Sequence, residues 1–323
     1  MADIALDQIV FTRTLLTAGD RAAFYRRAAD GDYVSLARGA YAGTADLARC
    51  LPEERHRAAV LALSALRRDL VFSSVSAALV WRRPWVGAPP KKPHALALGA
   101  TSGRSTAGIT RHVAAADEAR IDVHGILVTP LARTLVDAAR HTTLPSAVAM
   151  LDHALSPANP AETWPASARC TREDLAMEHE RGSTRGGARA RLAIGAASGA
   201  SGSLGESVCR VLIAQLGFPA PVLQQEFRDA DGLIGYTDFF WPELGLVVEF
   251  DGRAKYLRDE YTSGRSPGEI VLAEKRREDR LRARGLRVIR LDWEELRHPE
   301  RVAARLERAG LVRAHVSAPQ WLR

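Results

Sequence analysis

Gly235-Tyr236-Thr237-Asp238-Phe239-Phe240-Trp241-Pro242-Glu243-Leu244-Gly245-Leu246-Val247-Val248-Glu249-Phe250-Asp251 is the stretch that decides the fold of the last third of this chain. Two extended runs, 235–241 and 246–251, flank Pro-Glu-Leu-Gly, a strong turn signal. With the turn centred between Glu243 and Leu244, Asp238 falls opposite Glu249 and Tyr236 opposite Asp251. Side chains alternate along a strand. One face therefore carries Thr237, Phe239, Trp241, Leu246, Val248 and Phe250, nearly pure core. The other carries Tyr236, Asp238, Phe240, Val247, Glu249 and Asp251. Directly opposed Cβ atoms lie about 4.5–5.5 Å apart, where like charges repel. The hairpin thus asks for something positive between its acids. A divalent cation with oxygen ligands is the simplest candidate.

Working outward, Ser266-Pro267-Gly268-Glu269 is a capping box with proline at the first helical position. It opens a predicted helix over 267–284, stopped by Gly285. Glu274, Arg277, Glu278 and Leu281 share one stripe of that helix, and Lys275 and Asp279 are spaced as an i,i+4 pair. These charges point at the acids in one reading and form a solvated ladder of ion pairs in the other. Residues 286–291 return as a strand. On the other side of the hairpin, 204–216 reads as an amphipathic helix ended by Gly217, and 222–228 as a strand. Helix, three strands, helix, strand is the predicted order over 204–323.

The remainder divides into a head over 1–45, a middle α/β region over 46–155 and a linker over 156–203. In the head, 7–17 reads as a helix. Asp20 reads as the N-cap of a second, basic helix over 21–29, with Gly31 to stop it. Residues 33–41 form two short extended pieces around a Gly turn. Helix, turn, basic helix and ribbon is the order of a winged helix-turn-helix, whose second helix enters the major groove. Arg21, Arg26 and Arg27 on that helix, with Arg38 in the ribbon, are the candidate DNA contacts; the alternative is a solvated basic helix in a small packing domain. The middle region predicts helices over 53–66, 130–137 and 146–155, strands at 95–97 and 109–112, and an extended start that turns into a helix over 71–79. Thr129 reads as an N-cap with Pro130 at N1. Its histidines lack ligand spacing and read as structural or surface residues. The linker holds one helix over 172–181 among Gly/Ser/Ala-rich stretches, which predicts flexible connection.

Composition narrows the classes. A net charge of +7 and a pI of about 9.7 favour a polyanionic partner, nucleic acid before membrane. The three cysteines form no C-x-x-C pair, so neither a zinc site nor a disulfide framework is suggested, and a reducing, cytoplasmic setting fits. No apolar stretch approaches the roughly 20 residues of a membrane span.

Two resemblances follow from these motifs. The segments Leu36-Ala37-Arg38-Gly39-Ala40-Tyr41, Ser73-Ser74-Val75-Ser76-Ala77-Ala78 and Thr129-Pro130-Leu131-Ala132-Arg133-Thr134-Leu135-Val136-Asp137 resemble the AbiEi-type antitoxin regulators. In that family a winged-helix head precedes a larger α/β domain, and members repress their own operon. Glu206, Gln225, Asp238, Val248-Glu249-Phe250-Asp251-Gly252 and Glu274-Lys275-Arg276-Arg277-Glu278-Asp279 resemble the Vsr-like endonucleases of the PD-(D/E)XK fold. The position where an E-x-K motif has lysine holds Asp251; Lys255 or Lys275 would supply the ammonium from another element. The resemblance implies phosphodiester hydrolysis of DNA. Asp238 and Glu249 would hold Mg²⁺ or Mn²⁺, Asp251 and Glu206 would be further ligands, and Arg277 would clamp phosphate. The alternative is a repressor or antitoxin whose degenerate nuclease fold only binds. A homodimer is compatible with both readings, and RNA stays open as a substrate.

Overall fold

The computed structural model describes residues 3–100, 103, 105–106, 108–157, 169–182, 185–252 and 267–313. The protein is mixed α/β, and its described strands form one three-stranded, one four-stranded and two two-stranded sheets. Its contacts divide it into two compact units: Met1–Met150 with Pro160–Ala190, and Leu151–Asn159 with Arg191–Arg323. Among the described residues no helix is long and apolar enough to cross a membrane.

The first unit begins with strand β1 (Ile9–Phe11), helix α1 (Ala18–Ala29) and strands β2 (Tyr33–Ala37) and β3 (Ala40–Gly43). The helix expected over 7–17 is not formed. Ile9-Val10-Phe11 is a strand flanked by 3-10 turns at Leu6–Gln8 and Thr12–Thr14. β-Branched and aromatic side chains suit a pleated surface, and β1 finds an antiparallel partner in β3, with Ile9 opposite Ala42. Helix α1 starts earlier than expected. Thr17 is its N-cap, and its hydroxyl accepts the Asp20 N–H at 3.0 Å. The Asp20 carboxylate accepts the Thr17 N–H in return at 3.1 Å, so Asp20 is the far member of a capping box rather than the cap. The ribbon β2–β3 turns at Gly39, whose φ of +85° is left-handed. Ile9, Ala40 and Ala42 share one buried cluster with Ala58 and Ala62 of α3 (Pro52–Leu66), which follows the short helix α2 (Thr44–Ala48). The apolar core therefore continues across residue 45.

Helix α4 (Ser74–Val80) follows, then the parallel pair β4 (His94–Leu98) and β5 (Thr110–Ala114) and the hairpin β6 (Ile121–Val123) and β7 (Ile126–Val128). Phe72 bridges both β4 and β7. Helix α5 (Leu131–His141) is capped at Pro130, one residue later than expected, because the Thr129 hydroxyl bonds that of Thr134 at 2.6 Å. His56 is a rivet: Nδ1–H donates to Pro90 O at 2.9 Å, and Nε2 accepts from the Ser76 hydroxyl at 2.8 Å. Burial pulls the pKa of His56 to about 4 and that of His94 to about 3, so both rings are neutral structural groups at physiological pH. Helix α6 (Leu144–Leu155) and α7 (Arg172–Arg181) match expectation. Helix α8 (Gly187–Ala196) was not foreseen; its small apolar residues Ala190 and Ala193 are fully buried, which offsets the flexibility of the adjoining glycines.

In the second unit the elements follow the expected order: α9 (Leu204–Gln215), β8 (Val222–Asp229), β9 (Gly232–Trp241), β10 (Leu246–Asp251), α10 (Pro267–Ala283) and β11 (Arg287–Asp292). Two short helices, α11 (Trp293–Leu296) and α12 (Pro299–Arg308), complete it. The sheet order is β11-β10-β9-β8, with β10 and β11 parallel and the other pairs antiparallel. Phe239, Trp241, Leu246, Val248 and Phe250 form the sheet's side of the core, joined by Cys209 and Ile213 of α9 and by Val302 and Leu306 of α12. Asp152, 1% exposed, ties the end of α6 to α9 through Arg210 at 2.6 Å and the Ser207 hydroxyl at 2.7 Å. Cys50, Cys170 and Cys209 are all free and buried.

Candidate functional site

The hairpin adopts the register read from its turn: Leu246 lies opposite Trp241, Val247 opposite Phe240 and Val248 opposite Phe239. Pro242–Leu244 forms a 3-10 turn, and Gly245 closes it in the left-handed region at φ +52°. The ladder stops before Asp238. There the carboxylate takes over from the backbone: Asp238 Oδ2 accepts the Phe250 N–H at 2.8 Å. Asp238 thereby stays beside the strand that carries Glu249.

Glu206 joins this carboxylate from α9. It is 3% exposed, and its Oε2 accepts the Gly202 N–H at 2.7 Å and a Gln224 Nε2–H at 3.1 Å. The same Gln224 Nε2 lies 3.4 Å from Asp238 Oδ1. One amide thus bridges two acids from different elements. Gln224 holds φ +49°, uncommon for a residue with a β-carbon. The glutamine expected here was Gln225, but its amide donates to Glu226 O at 2.9 Å instead. The register of β8 with β9 sets Leu223 opposite Phe239 and Gln225 opposite Thr237, which leaves Gln224 level with Asp238. Helix α9 comes close enough to place Glu206 because Gly205 faces the Phe250 ring; a β-carbon at 205 would overlap that ring.

Glu249 is 8% exposed, and burial raises its pKa above the ordinary carboxylate range against the opposing pull of Arg277. Arg277 Nη1 lies 2.7 Å from Glu249 Oε1, and Arg290 Nη2 lies 3.7 Å from Oε2. The closer contact is a buried ion pair, so the Arg277 guanidinium compensates Oε1. Arg290 is the parallel-sheet partner of Glu249 and also reaches Glu274 at 3.2 Å and Glu278 at 3.1 Å. The charged stripe of α10 thus points at the sheet, with Leu281 buried at its end. The positive charge that the acid pair asked for is present, at least in part, as two guanidinium groups. Arg290 was missed because a parallel strand reaches Glu249 from beyond a whole helix, and no local spacing marks it.

The other expected residues are less convergent. Asp251 lies at the end of β10, with Asp292 of β11 as its neighbour in register. Lys275 is exposed on α10 and lines an open groove with Glu278 and Arg290. No ion pair links it to Asp279; among the described residues the i,i+4 pair on this helix is Glu278–Arg282, at 2.7 Å. Lys255 lies outside the described residues. Among the described residues, no three His, Cys, Asp or Glu side chains converge as a metal-ligand set, so Asp238, Glu249 and Asp251 do not form a ready-made three-carboxylate cage. Arg21, Arg26, Arg27 and Arg38 are all exposed on α1 and the β2–β3 turn. Arg27 pairs with Asp32 at 2.9 Å and stacks over Tyr33.

No family model matches the chain. It is 32% identical over 189 residues to relatives named "Uncharacterized protein MT2308" and "Uncharacterized protein Rv2248", from two strains of Mycobacterium tuberculosis. The alignment covers 58% of this chain and 62% of each relative, so the chain spans less than two thirds of their length.

Proposed function

We propose that the acidic hairpin of the second unit is the centre of a divalent-metal-dependent nuclease acting on DNA. The observation that carries this reading is the placement of Asp238 beside the strand that carries Glu249, with Gln224 bridging Asp238 to the buried Glu206. Mg²⁺ commonly takes only one or two protein carboxylates and keeps several waters. Asp238 and Glu249 fit that donor set, with Mn²⁺ as the near equivalent. A bound cation would acidify water and neutralise charge on the scissile phosphate. Glu206 and Gln224 orient Asp238. Arg277, released from Glu249, is placed to hold a phosphate oxygen. Asp251 and Lys275 lie beside the site rather than in it. The exposed arginines of α1 and of the β2–β3 turn support contact with DNA in a cytoplasmic setting, through a head whose first helix is replaced by strand β1.

The test is cleavage of supercoiled plasmid and single-stranded DNA with Mg²⁺, Mn²⁺ or chelator. Activity that needs metal and is lost in Asp238→Ala/Glu249→Ala supports the proposal. Equal inertness of both proteins under every condition removes it.

One observation favours a second reading. Arg277 and Arg290 already oppose Glu249, as they would in a nuclease fold kept for binding alone. That reading is of a repressor or antitoxin related to the AbiEi-type regulators. It predicts a gel shift on DNA upstream of its own gene that the Asp238/Glu249 double variant leaves unchanged.

A further inference from the structure

The first unit holds a separate polar cleft of about 420 Å³. Its walls include Arg111 and His112 from β5, Arg133, Asp137 and Arg140 from α5, and Arg185. Four guanidinium groups meet one lining carboxylate. Asp137 is divided between two of them: Oδ2 accepts from Arg133 Nε at 2.6 Å and Oδ1 from Arg140 Nη1 at 2.9 Å. Two further acids act on Arg133 from outside the lining: Glu118, paired at 3.7 Å, and Glu178 at longer range. Arg111 makes no ion pair within 4 Å among the described residues; Asp69 acts on it only at longer range. Arg140 is 4% exposed, and its Nε is a buried donor with no acceptor.

The backbone leaves room for Arg140. A β-carbon at Gly182 would overlap the Arg140 guanidinium, and one at Gly186 would overlap its carbonyl. The negative end of α5 is also answered, because Arg189 Nη1 donates to Thr142 O at 3.2 Å and lies 3.5 Å from Arg140 O. His112 is fixed by a 3.1 Å contact between its Nε2 and His94 Nδ1. The volume falls within the roughly 300–1,000 Å³ of small-molecule sites and exceeds what a bare phosphate needs.

We propose that this cleft binds a phosphoryl group carried by a nucleotide or by the end of a nucleic-acid strand. Guanidinium forks match phosphate oxygens in pairs. A dianion here would satisfy Arg111 and relieve the sharing of Asp137. The site lies on the first unit and does not depend on the nuclease reading.

The experiment is calorimetric titration of the full chain with pyrophosphate and with a mononucleotide. A parallel anisotropy titration uses single-stranded oligonucleotides bearing a 5′-phosphate or a 5′-hydroxyl. Pyrophosphate should bind saturably. Arg111→Gln and Arg185→Gln should each weaken it about tenfold, the effect of losing one charge-assisted contact. Arg68→Gln, an exposed arginine of the same unit, should change nothing. Tighter binding of the mononucleotide than of either strand assigns a free nucleotide. A preference for the 5′-phosphate strand over the 5′-hydroxyl strand assigns a nucleic-acid end. Absence of pyrophosphate binding at millimolar concentration, or equal binding by all three variants, overturns the proposal.

Discussion

Asp152 offers a measurable handle on what holds Glu206 in place. Its carboxylate is 1% exposed and fully engaged: Oδ1 accepts the Ser198 N–H at 2.6 Å, and Oδ2 accepts from Arg210 at 2.6 Å and Ser207 at 2.7 Å. Arg210 also donates to Ala196 O at 2.6 Å. Asp152→Ala removes one ion of a buried pair and strands the other, which costs about 3–5 kcal/mol. Asp152→Leu with Arg210→Met removes both ions together, and replacing a buried pair by apolar residues of similar size is often near neutral. Hydrogen exchange of the α9 peptide, read by mass spectrometry, reports the difference. At 1.36 kcal/mol per factor of ten, the single variant should exchange about 10²- to 10⁴-fold faster in α9, and the double variant far less so. If Asp152→Ala leaves protection within a factor of ten of wild type, the pair does not anchor the helix. Equal losses in the two variants would place the effect in packing rather than in charge.

Glu249 makes a pH-dependent counterpart. Its pKa is raised in the folded chain, so the folded state holds that proton more tightly than the unfolded one. The stability this contributes is present below the ordinary glutamate range and is lost as pH rises through the raised value. Thermal midpoints of wild type and Glu249→Gln should therefore diverge in the variant's favour as pH rises from about 4 to 7; a gap that is constant with pH contradicts the burial argument. Gly205→Ala should destabilise the second unit by about 1–3 kcal/mol in urea titrations, the usual range for overpacking, because the Phe250 ring must move. Gln224→Gly relieves a left-handed backbone worth about 1 kcal/mol but removes the amide bridge, whereas Gln224→Ala removes the bridge and keeps the strain. The glycine variant should be the more stable of the two, and equal midpoints would show that φ at 224 carries no strain.

The hairpin was legible because two local rules agreed on it. The turn residues fixed the centre, and strict alternation sorted apolar from acidic side chains, so the register of 239–241 with 246–248 followed. What neutralises Glu249 was not legible in full. Arg277 stood on a stripe whose direction the sequence left open, and Arg290 reaches it through a parallel pairing that no spacing encodes. The resemblance pointed to Gln225, whereas the register of β8 with β9 puts its neighbour Gln224 beside Asp238. The head shows the same limit from another side. Ile9-Val10-Phe11 fits a helical face or a strand equally well in isolation, and only pairing with Ala40–Ala42 settles it as a strand. The second helix, with its short-range capping box, was found in the right place to within three residues at its start.

The buried cysteines have a practical consequence. Burial raises the pKa of Cys170 to about 11 and lifts those of Cys50 and Cys209 as well, so none offers a thiolate at neutral pH. In its folded state the chain should behave towards maleimides as if it had no cysteine. A single cysteine introduced at Lys275 or Arg111 would then carry a dye or spin label alone, with the native thiols left in place. Distances from each position to a labelled oligonucleotide would report separately on the acidic hairpin and on the arginine cleft.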